Sequence, residues 1–111
     1  MSNALVSDAK VQDALEYLAR SAGPFAQAQA KARSGERRAK AIRARVEAHS
    51  KAKTAAERSA IAECSEPYMT ALDDWEAAVH EATEIGAHRE RARYMIEVWR
   101  SMNANARQGK L

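Results

Sequence analysis

The stretch TAAERSAIAECSEP, residues 54–67, decides how this chain folds. Thr54 and Glu57 stand three apart, a hydroxyl followed by a carboxylate, which is the spacing of a helix-capping box. They predict a short helix from Thr54 to about Cys64. Ser65-Glu66-Pro67 then starts another helix, since a hydroxyl suits the cap and proline suits the first turn. Two helix starts so close together make the segment a helical turn, and the longer helices on either side fold back along one another.

Upstream, a helix is expected from about Pro24 to about Ser50. Its seam is Phe25, Ala28, Ala32, Gly35, Ala39, Ile42 and Val46, alternating three and four residues apart. That is a heptad-like stripe of mostly small side chains, which lets a partner helix approach closely. Downstream, a longer helix is expected from about Glu66 to about Ala106, with a stripe of Leu72, Trp75, Val79, Ala82, Ala92, Ile96 and Trp99. Its middle, Gly86 to Arg91, is polar and is expected to bend or loosen. A first helix opens at the N-cap Ser7, presents Val11, Ala14, Leu15, Leu18 and Ala22, and stops at Gly23-Pro24. Residues 1–6 and 104–111 are expected to fray.

Charge supports the turn. Residues 31–53 carry net +7, residues 57–84 carry net −7, and residues 89–110 carry net +4, within a chain of net +3. A basic helix followed by an acidic one pairs antiparallel. About a centre near residue 59 or 60, Arg45 faces Asp73 and Asp74, Arg38 lies near Glu81, and Gly35 lies near Gly86. Exposed ion pairs contribute only about 0–1 kcal/mol each, so this pattern selects direction and register more than stability. The expected fold is an all-α, elongated antiparallel hairpin, coiled-coil-like, with a short helix at the turn and an N-terminal helix, in one domain spanning 1–111.

Composition agrees. Aromatics are 5% and charged residues 30% of the 111 residues, and much of the apolar fraction is alanine, a composition of long helices. Cys64 has no partner cysteine in the chain, which favours a reducing compartment. No apolar run approaches the ~20 residues of a membrane span, and Met1 to Lys10 has no signal-peptide core. The expected location is therefore the cytoplasm, with no membrane partner.

The chemical groups do not converge on catalysis. His80 has Glu76 and Glu84 four residues away, which reads as a solvated helix face and not as a metal site. Cys64 lies in a turn, and Asp73-Asp74 diverge around the helix. No phosphate-cradling glycine loop or paired-cysteine spacing occurs. No catalytic residue, cofactor or metal is expected. The basic run Arg37, Arg38, Lys40, Arg43 and Arg45 reads first as a face neutralised by the acidic helix, and second as a stripe tracking phosphates. The C-terminal cluster has no evident acidic partner: Arg89, Arg91, Arg93, Arg100, Arg107 and Lys110 surround Tyr94 and Trp99. Such a mixture contacts single strands and protein surfaces alike. Against this stands the reading of Met95, Ile96 and Trp99 as core.

One resemblance adds to the residues. Thr54-Ala-Ala-Glu-Arg58, Ser65-Glu-Pro-Tyr68, and Ile96-Glu-Val-Trp-Arg-Ser101, with Asn103-Ala-Asn105 and Arg107-Gln-Gly109, resemble small all-helical proteins of tailed phages and prophages. In those proteins an I-E-x-W-R-S segment precedes a basic tail. The likeness covers roughly the last 60 residues and, more loosely, Ser7 to Leu18. It implies a role in phage DNA processing and carries no catalytic or binding residues over. Met102-Asn-Ala-Asn-Ala106 departs from the pattern where a more basic run would fit.

The expected function is a non-enzymatic phage or prophage accessory protein. Its partner is a host or phage protein of DNA recombination, replication or host-nuclease control. The alternatives are a single-stranded DNA-binding protein and a structural assembly factor. Expected contacts to a partner or to DNA are Arg89, Arg93, Tyr94, Trp99, Arg100 and Arg107. A homodimer is also expected, with Met95, Val98, Trp99 and Met102 at its interface.

Overall fold

The computed structural model describes residues 6–109. Lys110 of the basic tail and the outermost residues expected to fray lie outside them. Among the described residues there are three helices and no strand: α1 (Asp8–His49), α2 (Ala55–Glu63) and α3 (Glu66–Arg107). The fold is an all-α hairpin in which α1 packs on α3 and α2 lies in the connection. No helix of the described residues is long and apolar enough to cross a membrane.

Each long helix carries a seam of residues at heptad spacing that are turned away from solvent. On α1 it runs Val11, Ala14, Leu18, Ser21, Phe25, Ala28, Ala32, Gly35, Ala39, Ile42 and Val46, all buried or half-buried. On α3 it runs Tyr68, Ala71, Trp75, Ala78, Ala82, Ile85, Arg89, Ala92, Ile96 and Trp99, again all buried or half-buried. Three expectations are corrected by this seam. The separate N-terminal helix does not exist, because α1 continues through Gly23-Pro24 with Pro24 inside it. Pro24 is exposed, so its ring points away from the partner helix. It forfeits one backbone bond, to the carbonyl of Arg20, while the seam residues on either side stay packed. Leu15 and Val79, expected inside, are 48% and 42% exposed, and Ala22 is exposed as well. Ser21, Ala71 and Ala78 take the buried positions instead. Finally, α3 is uninterrupted across Gly86–Arg91.

The chain divides into two compact units, Ala26–Ala82 and Met1–Phe25 with Thr83–Leu111. In the Ala26–Ala82 unit the helices meet through small residues: Ala28, Ala39, Ala71 and Ala78 are all buried. Gly35 sits so close to Trp75 that an added Cβ would lie 3.2 Å from the Trp75 Cα. Gly35 therefore pairs with Trp75, and the expected pairing of Gly35 with Gly86 is wrong. Interdigitation of small side chains fixes the register, and it outweighs the exposed charges that suggested a centre near residue 59 or 60. Arg45 accordingly does not face Asp73 and Asp74; it borders a hollow with Val46, His49, Ser50 and Ile61. Opposite charges still lie on one side of this unit, since Lys31, Arg38, Asp74 and Glu81 line one hollow.

The turn of this unit follows its local chemistry. Thr54 Oγ1 accepts the Glu57 backbone N–H at 3.1 Å, which starts α2. Ser65 Oγ donates to the Ala62 carbonyl at 2.7 Å, so it closes α2 and does not cap α3 with its side chain. Arg43 clamps α2 to α1: its Nη2 donates to Ser59 Oγ at 2.7 Å and to Glu63 at 2.8 Å, while its Nε reaches Glu47 at 3.3 Å. Ala62 of α2 is fully buried.

The other unit joins the start of α1 to the end of α3. Ser7 Oγ accepts the Lys10 backbone N–H at 3.2 Å and caps α1. Trp99 Nε1 donates to Asp8 at 2.8 Å, and the Phe25 ring packs on Gly86, Cε1 lying 3.3 Å from where a Cβ would stand. Past Arg107 the chain leaves the helix through Gly109, whose φ of 71° is a left-handed conformation suited to glycine.

Candidate functional site

The unit of Met1–Phe25 with Thr83–Leu111 carries both the expected contact residues and an apolar hollow. The seam at Arg89 is its most unusual point. A guanidinium occupies a position that heptad packing reserves for an apolar side chain. Its Nη1 donates to the Leu18 carbonyl at 2.8 Å and to the buried Ser21 Oγ at 2.6 Å. Its Cζ lies 5.4 Å over the Phe25 ring, within cation–π range. Its Nε is buried without a hydrogen-bond partner. Arg89 is thus turned into the helix pair and committed to α1, and is not presented to an outside ligand as expected.

The remaining C-terminal arginines divide. Arg93 lies 4.0 Å from Glu90 and Arg100 3.7 Å from Glu97, each an exposed pair one turn along α3. Arg107 is exposed in the last turn of α3. Tyr94 projects outward, 71% exposed, and Val98, four residues on, is half-buried on the same side of the helix. Trp99 and Met102 are turned inward and line a hollow with Val6, Ser7, Asp8 and Ala9. The residues expected at one dimer interface are therefore split between the core, a groove and the outer face.

The groove runs along α1 and α3, is open to solvent and has a volume of about 470 Å³. From α1 come Lys10, Asp13, Ala14, Tyr17 and Arg20; from α3 come His88, Arg91, Ala92 and Met95. Its floor is the buried Ala14 and Ala92, whose small side chains leave depth between the half-buried Tyr17 and Met95. Arg20 stacks over Tyr17, Cζ to ring centroid 5.4 Å. His88 meets the same ring at 81°, with centroids 6.5 Å apart. Lys10, Arg20 and Arg91 are exposed at the rim, against one carboxylate, Asp13. The arrangement can hold an apolar side chain and pair with acidic groups beside it.

Sequence reasoning found Arg91 and Met95 but not Tyr17, Arg20 or Lys10. Their signal was present: Lys10, Asp13, Tyr17 and Arg20 recur at three- and four-residue spacing beside the seam. It became readable only with α1 as one helix opposed to the end of α3.

Elsewhere, Cys64 is free and exposed. Among the described residues no group of three or more His, Cys, Asp or Glu side chains is placed to hold a metal ion. No family model, no curated protein and no solved structure matches this chain.

Proposed function

We propose that this chain is a non-enzymatic adaptor that binds a protein partner. The setting is the one implied by its resemblance to small helical phage and prophage proteins: DNA recombination, replication or control of a host nuclease. The observation that carries the reading is the fate of the C-terminal arginines. A protein that tracks a nucleic-acid strand needs a run of cations free to neutralise phosphates. Here Arg89 is held in the seam by Ser21 and Leu18, and Arg93 and Arg100 stand beside glutamates on their own helix. What faces outward is an apolar groove with a cationic rim and the exposed Tyr94, a combination suited to a protein surface. Self-association belongs to the same reading, through the outward Tyr94 and Val98.

The test is binding by the purified full chain at about 0.15 M salt, where exposed charge is largely screened beyond ~8 Å. Proteins captured from the host cell are reconstituted as recombinant pairs, beside a salt series with labelled oligothymidylate. A saturable stoichiometric complex with one protein, and no oligothymidylate binding at that salt, is the expected result. Oligothymidylate binding that persists there, with affinity falling steeply as salt rises, would replace this reading with the single-strand one.

A further inference from the structure

We infer that the groove between Tyr17 and Met95 is the docking site for one acidic amphipathic helix of the partner. This inference rests on the protein-binding reading above and specifies what that partner presents.

The groove's shape selects a helix. Its lining residues recur every three or four positions on both walls, so the indentations repeat at about the pitch of a helical turn, ~5.4 Å. From Lys10 to Arg20 the α1 wall is three turns long, about 15 Å at 1.5 Å per residue. Ala14 and Ala92 form a hole between Tyr17 and Met95, into which a leucine-sized side chain of a third helix fits as a knob. An extended peptide is disfavoured, because both walls are helical interior whose backbone groups are bonded within α1 and α3. Its own N–H and C=O groups would lose water and find no ladder to join. A helical ligand satisfies those groups itself.

Charge selects an acidic ligand. Lys10, Arg20 and Arg91 at the rim exceed Asp13 by two positive charges, and Asp or Glu residues flanking the apolar anchors complement them. A nucleic-acid strand fits less well. Arg20 already covers one face of Tyr17 and His88 meets the ring edge-on, so a base competes for the stacking surface. Asp13 would also repel phosphate.

The probe is a side-chain-stapled helical peptide of about four turns, ~14 residues, with leucines at every third or fourth position and glutamates beside them. A second peptide has lysine at each glutamate position. Fluorescence anisotropy with the full chain should show saturable binding of the glutamate peptide only. Reversing the rim, with Lys10→Glu, Arg20→Glu and Arg91→Glu together, should weaken that binding on the order of tenfold or more and transfer it to the lysine peptide. Helicity by circular dichroism checks the fold of the triple variant, and Arg91→Glu alone gives a partial loss if the triple variant unfolds. Arg37→Glu, on an exposed face of the Ala26–Ala82 unit, should change nothing.

The inference is overturned if the glutamate peptide does not bind, or binds the folded rim variants as tightly as the native chain. It is overturned too if only oligothymidylate binds and the rim reversals remove it, an outcome that also ends the protein-binding reading. A reconstituted protein complex whose affinity the rim reversals leave unchanged removes the groove proposal alone.

Discussion

The two units solve the same problem with different side chains. In Ala26–Ala82 the middle of the seam is mostly alanine and glycine around Trp75, with Ile42, Val46 and Tyr68 toward the turn, and Arg43 holds the short α2 in place. In the unit of both chain ends the seam holds Val11, Leu18, Phe25, Ile96 and Trp99, with a guanidinium, Arg89, among them. One seam gains from close approach; the other tolerates a charge whose Nε has no partner. Small residues on one helix let a large one on the other, Trp75 against Gly35, be accommodated at close approach. The unit that holds the half-buried Arg89 is also the one carrying the groove.

The two units differ most at their glycines. Gly35→Leu should destabilise the fold by about 3 kcal/mol, because its Cβ meets backbone at Trp75 and cannot be relieved by turning a side chain. Gly23, in the other unit, has nothing within 4 Å of its would-be Cβ beyond its immediate chain neighbours. Gly23→Ala should stabilise by less than about 1 kcal/mol, the helix-propensity gain trimmed by crowding against Pro24. Urea denaturation of both variants measures the contrast. Similar losses at the two sites would show that close approach at Gly35 is not what holds that seam.

Pro24 gives the next effect, of opposite sign. Pro24→Ala restores a backbone N–H inside α1 and removes a ring that crowds the preceding turn, so stability should rise by roughly 2 kcal/mol. Thermal melts decide it. A lower melting temperature would mean that the native helix depends on the proline, for instance through a bend that seats Phe25 on Gly86.

Arg89 separates truncation from replacement. Arg89→Ala leaves Ser21 Oγ without its donor and opens a void beside Phe25, costing about 1–3 kcal/mol. Arg89→Met fills the space without a charge to desolvate and should be neutral or stabilising by about 1 kcal/mol. If Met costs as much as Ala, the bonds to Ser21 and Leu18 contribute more than an apolar seam would.

These contrasts also explain what could be read in advance. Thr54 and Ser7 were legible because a cap is local: one oxygen and one N–H three residues away. The stripe from Phe25 to Val46 was legible because heptad spacing survives in alanines. Its extension to Val11 was hidden by two features, a polar Ser21 at a seam position and the Gly23-Pro24 pair. Ser21 makes sense only with Arg89 opposite, 68 residues on. Register was hidden because it rests on which small residue faces which large one, whereas charges, visible in sequence, act weakly over several turns. The groove followed the register into obscurity: Tyr17 and Arg20 belong to one helix, His88 and Met95 to the other.

The smallest effect on stability is expected on the outer face of α3, and there the effect on assembly is the greater one. Tyr94 is 71% exposed, and Val98 stands one turn further along the same side. Trp99 and Met102, by contrast, border Val6 to Ala9 within the chain. A two-fold dimer would therefore centre on Tyr94 and Val98. A tyrosine buries at most about 150–250 Å², so two such residues per chain fall short of the ~1,200 Å² usual for a stable interface. A weak, concentration-dependent dimer is expected. Sedimentation equilibrium should show mass rising above the 12.2 kDa chain as concentration increases. Val98→Asp should return the mass to that of the chain with helicity intact, at a cost of about 1 kcal/mol in folding free energy for this half-buried position. Trp99→Ala should do the reverse, lowering stability through loss of the bond to Asp8 while leaving association in place. A monomer at every concentration would remove the dimer from the proposal. A dimer abolished by Trp99→Ala but indifferent to Val98→Asp would move the interface to the seam's end, beside the N-terminus of α1.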